Sequence, residues 1–394
     1  FSGGDLTMDF SMSAFWVALA LIGYTYLIFP AMVFVRGLLS RRPYRSVDIT
    51  PPVSMIVAAY NEARNIGPKL ENALSLDYPR DRLELIVASD GSDDGTNDIV
   101  LGYAEHGVEL LALPRLGKIG ALNRAVDAST GDILVFSDAN SMFSPDALRN
   151  LVRPFADPEV GGVAGNQCYL VQGNFRSNGS SERLYWGLDR KLKSLQSWSG
   201  NTISATGAIY AVRRSLFQAV PPGVTDDFVI STRVIAQGYR LVFAPDAIAY
   251  ESAAESSGVE FGRKVRVITQ GLHAVVVMRE LLNPFRHGFY AIQLFSHKVL
   301  RRLMFAPFLV ILLTNPFLLD EEALFYRVTF LTQVMFYGCA VAGVVFAGRR
   351  LGRLKVFSIP YYFCMVYLAA LIATWNVVRG RRITSWRTQR QDAA

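Results

Sequence analysis

The stretch Ile133-Leu134-Val135-Phe136-Ser137-Asp138-Ala139-Asn140 constrains the fold more than any other. It opens on four apolar residues and ends abruptly in polar ones. That pattern predicts a short strand buried on both faces, with its carboxyl end opening into a polar crevice. In open α/β sheets, ligands sit beyond the carboxyl ends of the strands. Asp138 and Asn140, two residues apart, suit a hard divalent cation shared with substrate phosphates. The same two residues would equally serve to cap a turn.

The pattern recurs upstream. Val53–Val57, Leu83–Val87 and Glu109–Leu113 read as short strands. They alternate with helical stretches from about Asn65 to Leu76, from about Thr96, and from about Lys118 to Ala128. Such alternation predicts βαβ units, a parallel sheet and the α/β class. The strand ends run into loops rich in Asp, Asn and Gly, which on one sheet edge would build a nucleotide site. No G-x-G-x-x-G follows a strand, and no G-x-x-x-x-G-K-[ST] occurs, so a dinucleotide turn and a P-loop are both excluded. A metal at Asp138 and Asn140, with the cations Arg115 and Lys118, is then the candidate phosphate holder.

The composition is that of a mixed molecule. The chain is 51% hydrophobic, with a mean hydropathy of +0.24. That is rich for a soluble enzyme and poor for one buried wholly in lipid. Met12–Val35 carries no charge, and about 24 residues at 1.5 Å each would cross the hydrocarbon core. A signal peptide fits less well, since Asp5 and Asp9 precede the run and no small-residue cleavage site follows. Arg36, Arg41, Arg42 and Arg45 come next, placing this side in the cytoplasm. Because the first residue is Phe1, the sequence is read as a fragment or as carrying extra residues ahead of its native start. The formal charge is +7. Much of it lies beside apolar runs, which argues for membrane topology and against nucleic acid. Cys168, Cys339 and Cys364 have no metal-ligand or disulfide spacing, and the four histidines are scattered, so zinc is not expected.

Several runs together resemble the family-2 glycosyltransferases of GT-A fold: Val57-Ala-Ala-Tyr-Asn-Glu62, Ser89-Asp-Gly-Ser-Asp-Asp94, Gly117-Lys118, Ser137-Asp-Ala-Asn140 and Thr225-Asp-Asp227. The resemblance extends to exopolysaccharide, poly-N-acetylglucosamine and hyaluronan-synthase-like enzymes. It implies a Rossmann-like mixed sheet in a cytoplasmic domain over about residues 50–255. It further implies that Asp90 binds the base or ribose of a nucleotide sugar, usually a UDP-sugar, and that Tyr60, Glu62 and Lys118 line the nucleotide pocket. Asp138 would hold a diphosphate-bound Mg2+ or Mn2+, with Asn140 standing where the family's D-x-D motif has its second Asp. Asp227 would be the general base of an inverting transfer, and Gly207 and Asp226 would lie on the acceptor side. From the residues alone, Glu62 could cap the following helix, Asp94 with Thr96 could start one, and Thr225-Asp-Asp227 is also an ordinary helix N-terminus.

The remaining segments are predicted as follows. Gln172–Ser181 reads as a polar loop and Glu182–Trp198 as a helix. Phe261, Val265, Ile268, Leu272 and Val275 lie opposite Arg263, Arg266, Gln270 and His273, which predicts an amphipathic helix on the membrane surface. Its position resembles the Q-x-x-R-W segment of processive synthases, with Val267 in place of Trp, and that likeness would bring Arg263 and Arg266 toward the diphosphate. Apolar segments at about Leu303–Leu319, Ala323–Ala347 and Val356–Val378 complete the chain. Strict alternation puts the Arg-rich tail outside, against the charge rule, unless one segment is re-entrant or interfacial. The expected organisation is an N-terminal span and basic flank (1–49), a catalytic domain (50–255), interface helices (256–300) and C-terminal spans (301–394). The expected protein is a multi-pass inner-membrane transferase that passes a sugar to a lipid-linked or polysaccharide acceptor in cell-envelope biosynthesis. Single addition is favoured slightly over processive synthesis, and a non-catalytic sugar-binding subunit is the alternative of another class.

Overall fold

The structure is a computed structural model that describes residues 3–170, 190–252, 257–319, 323–349 and 351–383. The predicted loop 172–181, the acidic turn 320–322, Arg350, Arg387 and Arg390 lie outside the described residues. The chain forms two compact units. One comprises residues 32–255, 273–292 and 383–394, and the other residues 1–31, 256–272 and 293–382. The predicted interface segment 256–300 is thus divided between them.

The first unit is built on one mixed sheet. Its strands are β1 (Val53–Ala59), β2 (Leu83–Asp90), β3 (Val108–Leu113), β4 (Ile133–Asp138), β5 (Met142–Phe143), β6 (Val160–Leu170), β7 (Tyr210–Arg213) and β8 (Arg240–Ser252). They lie in the order β3-β2-β1-β4-β7-β6-β8-β5. The first four are parallel, as the βαβ pattern predicts. β7 is antiparallel to both β4 and β6, and β8 returns parallel to β6. Ile133, Leu134, Val135 and Phe136 are all at most 2% exposed, because helices cover the sheet on both sides of β4. The helix Ala63–Leu74 turns Ile66, Leu70 and Ala73 into the core beside Met55, Val57 and Leu148. Lys69 shares that buried face, and its amine has to be satisfied there.

Register fixes where the polar ends emerge. Ala58 pairs with both Ala88 and Asp138, and Leu113 with Asp90. The acidic ends of β2 and β4 therefore flank the end of β1 on one sheet edge. There the chain leaves β1 through Asn61, whose φ of 51° is left-handed and suits Asn better than most residues.

The second unit is helical. Among the described residues three helices are long and apolar enough to cross a membrane: Met8–Leu39, whose residues from 32 on belong to the first unit, Leu324–Val345 and Lys355–Val378. Phe15 and Ala18 pack with Ile311, Leu318 and Tyr326. A Cβ on Gly343 would sit 2.8 Å from the Phe357 carbonyl, so this glycine lets two of the helices approach closely. The segment predicted at Leu303–Leu319 is instead the second arm of a pair, Phe289–Leu303 and Phe305–Leu318, bent by 48°. His297, Lys298, Arg301 and Arg302 interrupt the first arm and hid it from a search for apolar runs. The pair makes a fourth span if its arms act as one.

The predicted amphipathic helix runs from Ser257 to Val277. Its apolar stripe is turned inward, with Leu272 8% and Val275 4% exposed. Lys264 lies over the Tyr362 ring at 4.9 Å, and Gly271 makes room for the Arg302 guanidinium. Arg263 is exposed, whereas burial and then Arg263 depress the pKa of half-buried Arg266.

Candidate active site

The loops after β1 and β2 are stitched together by their own polar side chains. The Asn61 amide donates to Asp93 at 2.8 Å, and the Asp93 N–H donates back to the Asn61 side chain at 3.0 Å. The N–H groups of Asn61, Glu62 and Ala63 donate to Ser92, Thr96 and Asp94 at 3.1, 2.9 and 3.0 Å. Asp94 also accepts from the Thr96 N–H and hydroxyl, opening the helix Thr96–Leu101 as its sequence predicts. Burial raises the Asp94 pKa, but these bonds outweigh it and leave the carboxyl below its ordinary value. Glu62 is the N-cap residue of the next helix, yet its carboxylate makes no cap bond and accepts instead from the Asn65 amide at 2.6 Å.

Asp90 is fully buried. Its carboxylate accepts from the Leu116 and Gly117 N–H groups at 2.5 and 2.9 Å and from the Arg115 guanidinium. Arg115, expected at the phosphates, lies 3.2 Å over the Tyr60 ring. Asp90, Arg115 and Tyr60 thus form one cluster that shapes the turn into Lys118. For Asp90 to touch a base or ribose, it would have to exchange one of these partners.

Lys118 itself points at the end of β4. Its ammonium donates to Asp138 at 2.8 Å and pairs with Asp226 at 3.2 Å. Burial lowers its pKa, but Asp138, Asp226 and Asp227 together raise it well above the ordinary value, so it is charged at any physiological pH. Asp226 and Asp227 are the first residues of the helix Asp226–Ala236, where the helix dipole favours their charge. Thr225 holds the N-cap position, but its side chain makes no cap bond. The Phe228 N–H donates to Asp227 at 2.7 Å instead. Asp138, Asp226 and Asp227 therefore gather around one ammonium. A Cβ on Gly207 would lie 3.0 Å from an Asp138 oxygen, so the close approach this glycine permits is to that carboxylate.

Two residues of this region have no role assigned to them from the sequence. Tyr210 is fully buried and stacks on Phe136 at 4.9 Å. Its hydroxyl has no hydrogen-bond partner among the described residues. Burial, then Asp226, Asp227 and Asp138, push its pKa up. Lys69 is fully buried beneath the β4 turn, donating to the Ser137 hydroxyl at 2.8 Å and to the Ser141 carbonyl. Burial lowers its pKa to about 7 against the pull of Asp138 and Glu251. Strand periodicity marks Tyr210 as core, and helical periodicity leaves Lys69 on an apolar face, so neither stands out from sequence.

Among the described residues, no group of three or more His, Cys, Asp and Glu could hold a metal by itself. Asp138, a third exposed, and Asn140 offer one carboxylate and one neutral oxygen. That donor set fits an ion which takes most of its ligands from a diphosphate and water, the usual manner of Mg2+.

Residues 54–220 match glycosyl transferase family 2. The poly-β-1,6-N-acetyl-D-glucosamine synthases of Staphylococcus aureus and Staphylococcus epidermidis are each 26% identical to the chain, over 274 and 275 residues. The matched stretch is 68% of this chain and 64% of those proteins. A mannosyltransferase from Pyrobaculum calidifontis, solved with GDP-Man and Mn2+, has the same fold at a TM-score of 0.71 and 22% identity. It covers 94% of this chain and all of its own. Motif order, sheet topology and these likenesses agree: residues 54–220 are similar to glycosyl transferase family 2, and the sheet that holds them is GT-A-like.

Proposed function

We propose that the protein is a membrane-anchored inverting glycosyltransferase that moves a sugar from a nucleotide sugar to a saccharide acceptor in envelope or exopolysaccharide synthesis. The observation that carries this reading is Lys118, which ties Asp138 at a strand end to Asp226 at a helix N-terminus, with Asp227 beside it. The acceptor hydroxyl oxygen bonds to the anomeric carbon as the carbon–phosphate oxygen bond breaks, and Asp227 takes the hydroxyl proton. Lys118 lies where it can shift from Asp138 to the departing diphosphate. Asp138 and Asn140 would hold a divalent ion, which supplies charge neutralisation to the diphosphate. Asp226 and Gly207 then border the acceptor, and Tyr60 and Glu62 the nucleotide.

The staphylococcal relatives are named as poly-N-acetylglucosamine synthases, so UDP-N-acetylglucosamine is the first donor to try and a growing chain the first acceptor. The second reading, one addition to a lipid-linked acceptor, is supported by the small number of candidate spans among the described residues, three or four. The Met8–Leu39 helix and its arginines support an inner-membrane protein with the sheet unit in the cytoplasm.

The test is UDP release by the full chain with UDP-N-acetylglucosamine and Mn2+. Turnover is expected from the wild type. Asp227→Asn is expected to lower it by about 10³-fold with an unchanged melting curve. Full turnover in that variant would show that another group is the base. No release with any UDP-sugar would favour a sugar-binding subunit. Product length separates polymer from single addition.

A further inference from the structure

A cavity of about 520 Å3 lies in the sheet unit and shares no residue with the Asp138–Asp227 cluster. Arg240 and Glu159, which line it, stand at the amino ends of β8 and β6. β4, β6 and β8 run the same way, so the cavity is at the opposite end of the sheet from Asp138. Ala164 is level with Tyr210 and Phe136, so Asn166 is level with Asp138, and the six steps along β6 from Asn166 back to Val160 correspond to about 20 Å.

Its lining is basic. Arg42, Arg240 and Arg286 line it with one acid, Glu159, which sits 3.7 Å from Arg42, while Glu280, outside the lining, pairs with Arg286 at 3.4 Å. Arg240 forms the floor, its guanidinium held by the Arg42, Pro43, Ser197 and Gly200 carbonyls. Arg42 and Arg286 are both 62% exposed. Next to Arg286, the Nε2 of His287 is buried and has no hydrogen-bond partner among the described residues. A buried polar atom without a partner is destabilising, and with the ring proton on Nε2 a ligand oxygen would relieve it.

The surroundings indicate the source of that oxygen. Arg42 follows Leu39, the last residue of the first candidate span, by three positions, a reach of about 10 Å at most. Phe285, between Pro284 and Arg286, is 99% exposed. Trp198 is 43% exposed and carries the Arg41 guanidinium over its ring at 5.3 Å. Exposed aromatics interleaved with arginines are the composition of a membrane–water interface.

We propose that this cavity binds the phosphate of an anionic phospholipid headgroup, with Arg42, Arg286 and His287 as its contacts and Phe285 inserted beside the acyl chains. The proposal rests on the membrane placement above and leaves the transfer site untouched. A lipid phosphate here would hold the sheet unit at the level of the headgroups.

The test uses the full chain in neutral detergent and in nanodiscs of phosphatidylcholine, with or without phosphatidylglycerol. Retained lipid is read by native mass spectrometry and stability by the melting midpoint. Phosphatidylglycerol is expected to stay bound and to raise the midpoint, as any ligand of the folded state does. Arg286→Ala and His287→Ala should each weaken its retention by about fivefold, and Arg286→Lys by less. Arg286 is exposed, so a lipid-free midpoint equal to wild type will certify its folding. Equal retention by wild type and both alanine variants would overturn the proposal. So would the same midpoint rise from inorganic phosphate alone, which would make the ligand a soluble anion. UDP release in phosphatidylcholine alone should be unaffected by Arg286→Ala, and co-fractionation with membranes tests the anchoring separately. A chain that stays with membranes but does not select phosphatidylglycerol loses only this inference.

Discussion

The loops after β1 and β2 and the cluster around Lys118 occupy the same sheet edge and are equally rich in acids, but they use them oppositely. In the loops, Asp90 and Asp94 are spent on N–H groups and a guanidinium of their own neighbourhood. In the cluster, Asp138, Asp226 and Asp227 converge on a single ammonium. The first arrangement fixes a shape, and the second gathers three carboxylates around one positive charge, an excess of negative charge that suits the divalent cation proposed above. Position in a motif therefore does not say which acid does chemistry.

The largest expected effect is on rate. Asp138→Asn removes the one strand-end carboxylate at the expected metal position, while Lys118 keeps Asp226 as a partner. UDP release should fall by about 10²–10³-fold, with the melting midpoint within about 2 °C of wild type. A variant that loses its fold instead would move Asp138 to the structural side of the comparison.

Asp90→Ala should do the reverse. It removes the acceptor of the part-buried Leu116 and Gly117 N–H groups and the carboxylate that pairs with Arg115. The expected loss is about 3 kcal/mol of stability, read as a lower urea midpoint at unchanged m. A small stability change combined with a raised KM for the donor would show that Asp90 exchanges its partners for nucleotide.

The sequence displays one side of this contrast better than the other. Short apolar runs ending in Asp and Asn mark β1, β2 and β4 and place their ends together, because burial on both faces and a polar terminus are local properties. β7 and β8 are not marked in the same way. β7 has four residues, and β8 contains Pro245 and meets β6 across irregular register. Their membership in the sheet is a long-range pairing that no window reveals. The partners of Asp90 are 25 to 27 residues away, so its buried, satisfied state could not be read from the motif. Lys69 and Tyr210 escape for the complementary reason: each obeys the apolar periodicity of its element with a polar atom at its tip. The bent pair at Phe289–Leu318 escapes because basic residues interrupt its first arm.

Gly207→Ala probes how firmly the cluster is set. The added Cβ would meet Asp138 at 3.0 Å, closer than nine in ten real Cβ contacts, so the carboxylate must give by a few tenths of an ångström. A displacement of that size at a reacting centre should lower kcat by about tenfold and raise the Mn2+ needed for half-maximal rate. An unchanged metal requirement would place the cost of the variant on the acceptor side of the turn.

The smallest effect comes from the stitch, and it should depend on pH. Asp94 has a folded-state pKa below its ordinary 3.8, with burial opposing the shift and the Thr96 and Ala63 donors overcoming it. A carboxyl whose pKa is depressed on folding stabilises the native state above its unfolded pKa, and that contribution is lost as pH falls through the folded value. Asp94→Asn should therefore cost no more than about 1 kcal/mol at pH 7, since the group is only partly buried. The gap between variant and wild type should close as pH falls below about 4. Urea midpoints from pH 7 down to pH 3 measure this directly. A gap that persists undiminished at pH 3 would mean that shape, and not charge, holds the two loops together, and the stitch would then differ from the cluster in kind as well as in strength.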